Sequence, residues 1–156
     1  LQYINIIITS ILKPISSITV LSQKWFVMLN SILLVDDDVI SNFINYRMIS
    51  NLDIAKEVTL KLNGKEALKY IKDRCNRINS CPDLILLDLN MPTMNGLEFL
   101  EEYKKESLPN KDKIKIVVLS NMIKDEDQKL LDDYGIKTFL IKPITKEKIM
   151  EIIETV

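Results

Sequence analysis

The chain contains no histidine among its 156 residues, and its only cysteines are Cys75 and Cys81. Without histidine it has no Ser/His or Cys/His catalytic pair and no imidazole that could carry a phosphoryl group. Two cysteines are too few for a disulfide scaffold or for a thiolate metal site, so we expect two reduced thiols in a cytoplasmic protein.

The chain also lacks an excess of charge of either sign, because 21 basic residues balance 22 acidic residues for a net charge of −1. This balance gives no electrostatic footprint for nucleic acid or for an anionic membrane, and we expect neither as a partner. A content of 47% hydrophobic and 28% charged residues is typical of a globular domain. The length favours one domain with an extension.

Residues 1–27 differ in composition from the rest of the chain. Leu1 to Leu12 is mostly apolar and hydroxyl-bearing, and Lys13-Pro14 interrupts it. This apolar stretch is shorter than the roughly 20 residues that a membrane-spanning helix needs, and it lacks clear features of a secretory signal. We predict that residues 1–27 are an extension outside a functional domain of residues 28–156. The alternative is a helix that packs on the domain or lies near a membrane.

From residue 31 onward, strand-like and helix-like segments alternate. Strands are predicted at 32–35, 54–60, 84–88, 114–119 and 138–141, the second of them more polar and therefore at an edge. Asp38 is predicted to cap a helix that runs to about Ser50. Its inner face is predicted to carry four apolar residues, which are Ile40, Phe43, Ile44 and Met48. Five strands alternating with five helices predict an α/β doubly wound parallel sheet with helices on both faces.

Four predicted strands end in residues that carry chemistry. Asp36 and Asp37 follow the first strand, Asp88 ends the third, Ser120 follows the fourth and Lys142 follows the fifth. The carboxyl ends of parallel strands meet at one crevice, so these side chains should converge. Mg²⁺, or Mn²⁺ as an alternative ion, prefers such carboxylate ligands. A carboxylate such as Asp88 can also attack phosphorus, and a lysine can pair with a phosphoryl oxygen.

Residues 31 to about 155 resemble the receiver domain of two-component response regulators. The motifs that carry the resemblance are Leu34-Val35-Asp36-Asp37, Leu86-Leu87-Asp88-Leu89-Asn90-Met91-Pro92, Asn95-Gly96, Ser120 and Lys142-Pro143. Each motif is weak alone, whereas their order along the chain is highly specific. The resemblance implies a flavodoxin-like sheet with five strands in the order 2-1-3-4-5.

The resemblance also implies roles for individual residues. Asp88 would be the phosphoacceptor, and Lys142 would pair with its phosphoryl group. The Lys142-Pro143 peptide bond after the fifth strand would be cis. Mg²⁺ would be held by the carboxylates of Asp36, Asp37 and Asp88 and by the backbone carbonyl of Asn90. Ser120 and Phe139 would be the switch residues, and the alternative for Phe139 is simple core or surface packing.

One departure from the family concerns the two residues after Ser120. Asn121 stands where the family usually has a small residue, and it is followed by the apolar Met122. A bulky amide here would narrow access to Asp88 or contact the phosphoryl group. We therefore predict slow spontaneous dephosphorylation.

The expected function is that of a stand-alone receiver that is not an enzyme, except that it assists its own phosphorylation and dephosphorylation. A partner histidine kinase or histidine phosphotransfer protein would donate the phosphoryl group to Asp88, and output would be contact with a downstream protein. One alternative is a phosphatase of the haloacid-dehalogenase type, but such an enzyme needs a second aspartate where this chain has Asn90. Another is a docking pseudo-receiver, which the intact set of strand-end residues disfavours.

Overall fold

The computed structural model describes residues 28–78, 80–122 and 125–156, so the predicted extension at 1–27 lies outside the described residues. The strands are β1 Leu29–Val35, β2 Ala55–Lys61, β3 Leu84–Asp88, β4 Lys115–Ser120 and β5 Phe139–Ile141. The helices are α1 Val39–Asn51, α2 Gly64–Ile78, α3 Gly96–Lys105, α4 Asp125–Asp133 and α5 Lys146–Ile153, and a 3₁₀ turn at Lys111–Lys113 precedes β4. The predicted alternation of five strands with five helices is confirmed.

The five strands form one parallel sheet in the order β2-β1-β3-β4-β5. Both the predicted doubly wound order and the edge position of the second strand are confirmed. The chain moves from β1 to one side for β2 and then crosses to the other side for β3. The carboxyl ends of β1 and β3 therefore flank a topological switch point, where a crevice opens in sheets of this type.

Two apolar layers cover the faces of the sheet. In β1, Leu33 and Val35 face the layer formed with α2, α3 and α4, while Ile32 and Leu34 face the layer formed with α1 and α5. Alternate residues of one strand thus enter different layers, as the two-residue period of a strand requires. Because both faces are covered, β1 is buried almost throughout, and its carboxyl end lies at the crevice.

Helix α1 buries a different face from the one predicted. Three of the four apolar residues assigned to its inner face are largely exposed: Ile40 by 71%, Phe43 by 56% and Ile44 by 60%. The fourth, Met48, is partly buried against the core. The buried residues of the helix are Asn42, Asn45 and Ile49. The prediction was wrong because polar groups at the end of the sheet bind Asn42, which turns the apolar stripe toward solvent.

The two cysteines also differ from the expectation of reduced thiols. Cys75 in α2 is buried in the core, and its Sγ is bonded to the Sγ of Cys81 in the loop before β3. Their Cα atoms lie 4.6 Å apart across a sequence separation of six residues. The loop reverses direction after α2, with Arg74 Nε donating to the Ser80 carbonyl at 3.3 Å. This return brings Cys81 back to the helix, so the prediction of two free thiols is wrong for this structure.

Candidate functional site at the carboxyl edge of the sheet

Three carboxylates meet at the switch point between β1 and β3. One oxygen from each of Asp36, Asp37 and Asp88 lies within 4.8 Å of the other two. Asp36 and Asp88 are buried, whereas Asp37 is exposed. They line a cavity of about 430 Å³ that is also bordered by Asn90 and Asn121, among others. The end of the sheet therefore presents three clustered carboxylates to a cavity lined mainly by polar side chains.

Lys142 lies between two of these carboxylates. Its Nζ is 2.7 Å from Asp36 Oδ2 and 2.9 Å from Asp88 Oδ2, and its side chain is only 14% exposed. Its backbone N–H donates to the Ser120 carbonyl at 2.8 Å, which fixes the lysine beside the end of β4. The following Lys142-Pro143 peptide bond is cis. One ammonium group thus contacts the carboxylates at the ends of both central strands.

The environment shifts the pKa of both charged partners. Burial raises the pKa of Asp88 above its usual 3.8, and the hydrogen bond and charge of Lys142 offset this only in part. Burial on its own would lower the pKa of Lys142, but the hydrogen bonds and charges of Asp36 and Asp88 outweigh it and raise that pKa. Lys142 is therefore cationic at neutral pH, and burial disfavours the ionised form of Asp88.

A tight turn after β3 positions Asp88 relative to α3. The Asn90 N–H approaches Asp88 Oδ1 at 3.4 Å, and the Gly96 N–H donates to the Leu89 carbonyl at 2.9 Å. A Cβ at Gly96 would lie 2.5 Å from the carbonyl oxygen of Asp88 itself. Only glycine fits where α3 begins so close to this strand. Asn95 caps the helix in a reciprocal capping box with Glu98.

The loop after β1 is organised by hydrogen bonds to Asp36. Its Oδ1 accepts from the Asp38 N–H at 3.0 Å, and its Oδ2 accepts from Ser41 Oγ at 3.4 Å as well as from Lys142. Asp38 in turn accepts from the first turn of α1, so its predicted role as helix cap is confirmed. Sequence reasoning missed Ser41 and Asn42, which bind this loop from the first turn of α1. A polar pair inside an apolar helical stripe was the available signal.

Ser120 and Phe139 are placed differently from the charged residues. Ser120 is fully buried, and its Oγ donates to the Met122 carbonyl at 2.6 Å. It lines a neighbouring cavity of about 650 Å³, which shares Asn90 and Asn121 with the cavity at Asp88. Phe139 is 37% exposed on β5. The structure thus brings Asp36, Asp37, Asp88 and Lys142 together, while the Ser120 hydroxyl bonds to its own loop.

A family model described as the response regulator receiver domain matches residues 32–154. The chain belongs to this family. The receiver domain is 32% identical over 118 residues to a protein-glutamate methylesterase/protein-glutamine glutaminase of Treponema denticola. That alignment covers 74% of this chain but only 29% of the relative, so the chain spans less than a third of that protein.

Solved structures share the fold of the receiver domain. A two-component response regulator from Cytophaga hutchinsonii is 26% identical with a TM-score of 0.73, covering 81% of this chain and 96% of that one. The receiver domain of the sensor histidine kinase PA1611 from Pseudomonas aeruginosa PAO1 is 22% identical with a TM-score of 0.67, covering 81% and 95%. A magnesium ion is coordinated in the active-site cleft of that protein. In the part of our chain that the structure describes, every helix is too short or too polar to cross a membrane.

Proposed function

We propose that residues 28–156 form a receiver that accepts a phosphoryl group on Asp88 from a phosphohistidine of a histidine kinase or histidine phosphotransfer protein. The observation that carries this proposal is the buried Asp88 carboxylate, which contacts Lys142 and lies beside two more carboxylates at an open crevice. Asp88 Oδ would attack phosphorus while the bond from phosphorus to the donor imidazole breaks. The chain contains no histidine, so the donor imidazole lies outside these 156 residues.

The donor set fits a hard divalent cation. If all are ionised, Asp36, Asp37 and Asp88 carry three negative charges and Lys142 carries one positive charge, which leaves two negative charges. The three carboxylates and the backbone carbonyl of Asn90 would hold Mg²⁺, or Mn²⁺ in its place. When bound, the ion supplies neutralising charge to the phosphoryl oxygens.

Lys142 would bind the transferred group directly. Its ammonium already contacts Asp88 Oδ2 at 2.9 Å, so an oxygen of a phosphoryl group on Asp88 falls within its reach. Its raised pKa keeps it protonated while negative charge accumulates. Lys142 therefore holds the acyl phosphate in place by charge-assisted hydrogen bonding.

The output would be a change of surface that begins at Ser120. To reach a phosphoryl oxygen, its hydroxyl must leave the Met122 carbonyl, which it contacts at 2.6 Å. Ser120 is paired in register with Ile141 of β5, two residues after Phe139, so this movement acts on the strand that carries Phe139. A local charge thereby shifts the population of a two-state surface that a downstream protein recognises.

The approach to the crevice offers apolar contact to a donor protein. Exposed Ile40 and Ile44 border a cavity of about 260 Å³ together with Pro143 and Ile144. This cavity shares Asp38 and Ser41 with the one around Asp88. A protein that brings its phosphohistidine to Asp88 would bury this surface as it binds.

The proposal is tested by treating the full chain with acetyl phosphate and Mg²⁺. We expect intact-mass analysis to show addition of one phosphoryl group, and amide NMR to show Mg²⁺-dependent shifts around Asp88 and in β5. Asp88→Asn is the matched control, since it keeps the size of the side chain but removes the acceptor. Modification of Asp88→Asn to the same extent, or no modification of the parent, would overturn the proposal.

A further inference from the structure

Asn42 is a buried polar residue of α1 that the proposed phosphotransfer does not use directly. Its exposure is 1%, and its Nδ2 donates to the carbonyl oxygen of Asp36 at 3.0 Å and to that of Lys61 at 3.2 Å. The Lys61 carbonyl also accepts from the Asp36 N–H at 3.1 Å. One side-chain amide therefore ties the chain leaving β1 to the end of β2, at the point where the acidic loop begins.

The bond to the Asp36 carbonyl bears on the neighbouring Asp37. That carbonyl belongs to the planar peptide unit between Asp36 and Asp37. The orientation of this unit sets the position of the Asp37 Cα, from which the carboxylate side chain extends. The Asp36 carboxylate accepts hydrogen bonds from Lys142 Nζ and from the Asp38 N–H. Among the described residues, no side-chain hydrogen bond is seen for the Asp37 carboxylate, so its position depends on the backbone.

Loss of the Asn42 amide would affect the two carbonyls unequally. The Lys61 carbonyl would keep the Asp36 N–H as a donor. The Asp36 carbonyl would lose its Nδ2 donor in a buried setting, where an unpaired group seeks a new partner. The Asp36–Asp37 peptide would then rotate, and the Asp37 carboxylate would move away from those of Asp36 and Asp88.

We propose that Asn42 is a positioning residue for the cation site. It holds the Asp36–Asp37 peptide in the orientation that brings the Asp37 carboxylate within reach of the same ion as Asp36 and Asp88. This inference rests on the proposed function, because it assumes that a divalent cation binds there. Groups that orient metal ligands in this way typically contribute about 10- to 100-fold to metal affinity.

The test is the Mg²⁺ dissociation constant of the full chain, measured by isothermal titration calorimetry without any phosphodonor. Asn42→Leu keeps the approximate size of the side chain and removes its donors, and we expect a dissociation constant about tenfold or more above that of the parent. The matched control is Asn45→Leu, which replaces another buried asparagine of the same helix. We expect the control to bind Mg²⁺ within about twofold of the parent. If Asn42→Leu does not fold, Asn42→Ser is measured instead, since its short hydroxyl cannot span both carbonyls.

A second readout separates positioning from a general loss of structure. With acetyl phosphate, the Mg²⁺ concentration for half-maximal phosphorylation should rise in the Asn42 variant, while the rate at saturating Mg²⁺ stays near that of the parent. An Asn42 variant that is less stable yet binds Mg²⁺ as tightly as the parent would overturn the inference and leave the proposed function intact. Equal weakening by Asn45→Leu would also overturn it. A parent chain that binds no Mg²⁺ would overturn both proposals.

Discussion

Replacing Lys142 by methionine should destabilise the domain in metal-free buffer. The lysine is the shared cation of Asp36 and Asp88, whose side chains are 2% and 8% exposed. Removing one partner from a buried ion pair typically costs about 3–5 kcal/mol, because the remaining charge stays buried without compensation. We expect a loss near the lower end, about 3 kcal/mol, since Lys142 keeps some contact with water. Urea denaturation in the presence of a chelator measures this free energy of unfolding.

Mg²⁺ should reduce the difference between the Lys142→Met variant and the parent. An ion at about 100 times its dissociation constant stabilises the folded state that binds it by about 2.7 kcal/mol. The variant should gain more than the parent, because its carboxylates lack the competing ammonium. Lys105→Met is the matched control: Lys105 also contacts two carboxylates, at 3.0 Å and 2.8 Å, but its side chain is 58% exposed. Its loss should change stability little and independently of Mg²⁺. A stability difference at Lys142 that stays constant at every Mg²⁺ concentration would refute the reasoning.

Three further substitutions test the site, and a fourth serves as a comparison for one of them. Folding raises the pKa of Asp88, so ionisation of this carboxyl group opposes folding. Asp88→Asn should therefore be more stable than the parent at pH 7. Thermal melts should show this gain in stability vanishing as the pH falls to 3.8 and below. Gly96→Ala should cost about 1–3 kcal/mol in urea denaturation through backbone clashes. The comparison is Gly135→Ala, with φ +76° and open space around its Cβ, which should cost about 1–2 kcal/mol from backbone strain alone. A loss well below about 1 kcal/mol at Gly96 would contradict the close approach. Ser120→Ala should still accept a phosphoryl group but lose the NMR response of β5, and an unchanged response would remove Ser120 from the switch.

The sheet was predictable because its central strands are buried on both faces. Leu84–Asp88 is apolar without interruption up to its final aspartate, and every residue of it is buried. Such an apolar run is typical of a central strand in a parallel sheet. The aspartate at its end then lies at the crevice. The convergence of Asp36, Asp88 and Lys142 follows from topology, since each residue lies at the carboxyl end of its strand. Local sequence and global fold agree at these positions.

The orientation of α1 could not be read from its apolar spacing. Ile40, Phe43 and Ile44 repeat at helical intervals and would normally face the core. In the structure, the carbonyl oxygen of Asp36 requires a donor, and Asn42 supplies it only if the helix turns that side inward. An unpaired buried carbonyl costs free energy comparable to a lost hydrogen bond. A tertiary polar requirement therefore set the rotation of a helix whose periodicity pointed elsewhere.

The pairing of Cys75 with Cys81 could not be predicted from the sequence, because it also depends on tertiary structure. A separation of six residues does not by itself bring two cysteines together, and two cysteines in 156 residues do not indicate a disulfide scaffold. The contact depends on the return of the chain after α2, with Arg74 bonded to Ser80. Composition could not reveal this return, because it is a property of one loop.

Lys142 contacts both Asp88, the proposed phosphoacceptor, and Asp36, a ligand of the proposed metal site, which the order of motifs did not reveal. The lysine was expected to pair with a phosphoryl group on Asp88, yet it contacts Asp36 at an even shorter distance, 2.7 Å against 2.9 Å. In the proposed reaction, a phosphoryl group on Asp88 competes with Asp36 for the same ammonium. As Lys142 turns to the new charge, Asp36 loses a cationic partner and becomes a stronger ligand for a divalent ion. Phosphorylation should therefore increase the affinity of the domain for Mg²⁺, and by linkage Mg²⁺ should favour the phosphorylated state to the same extent.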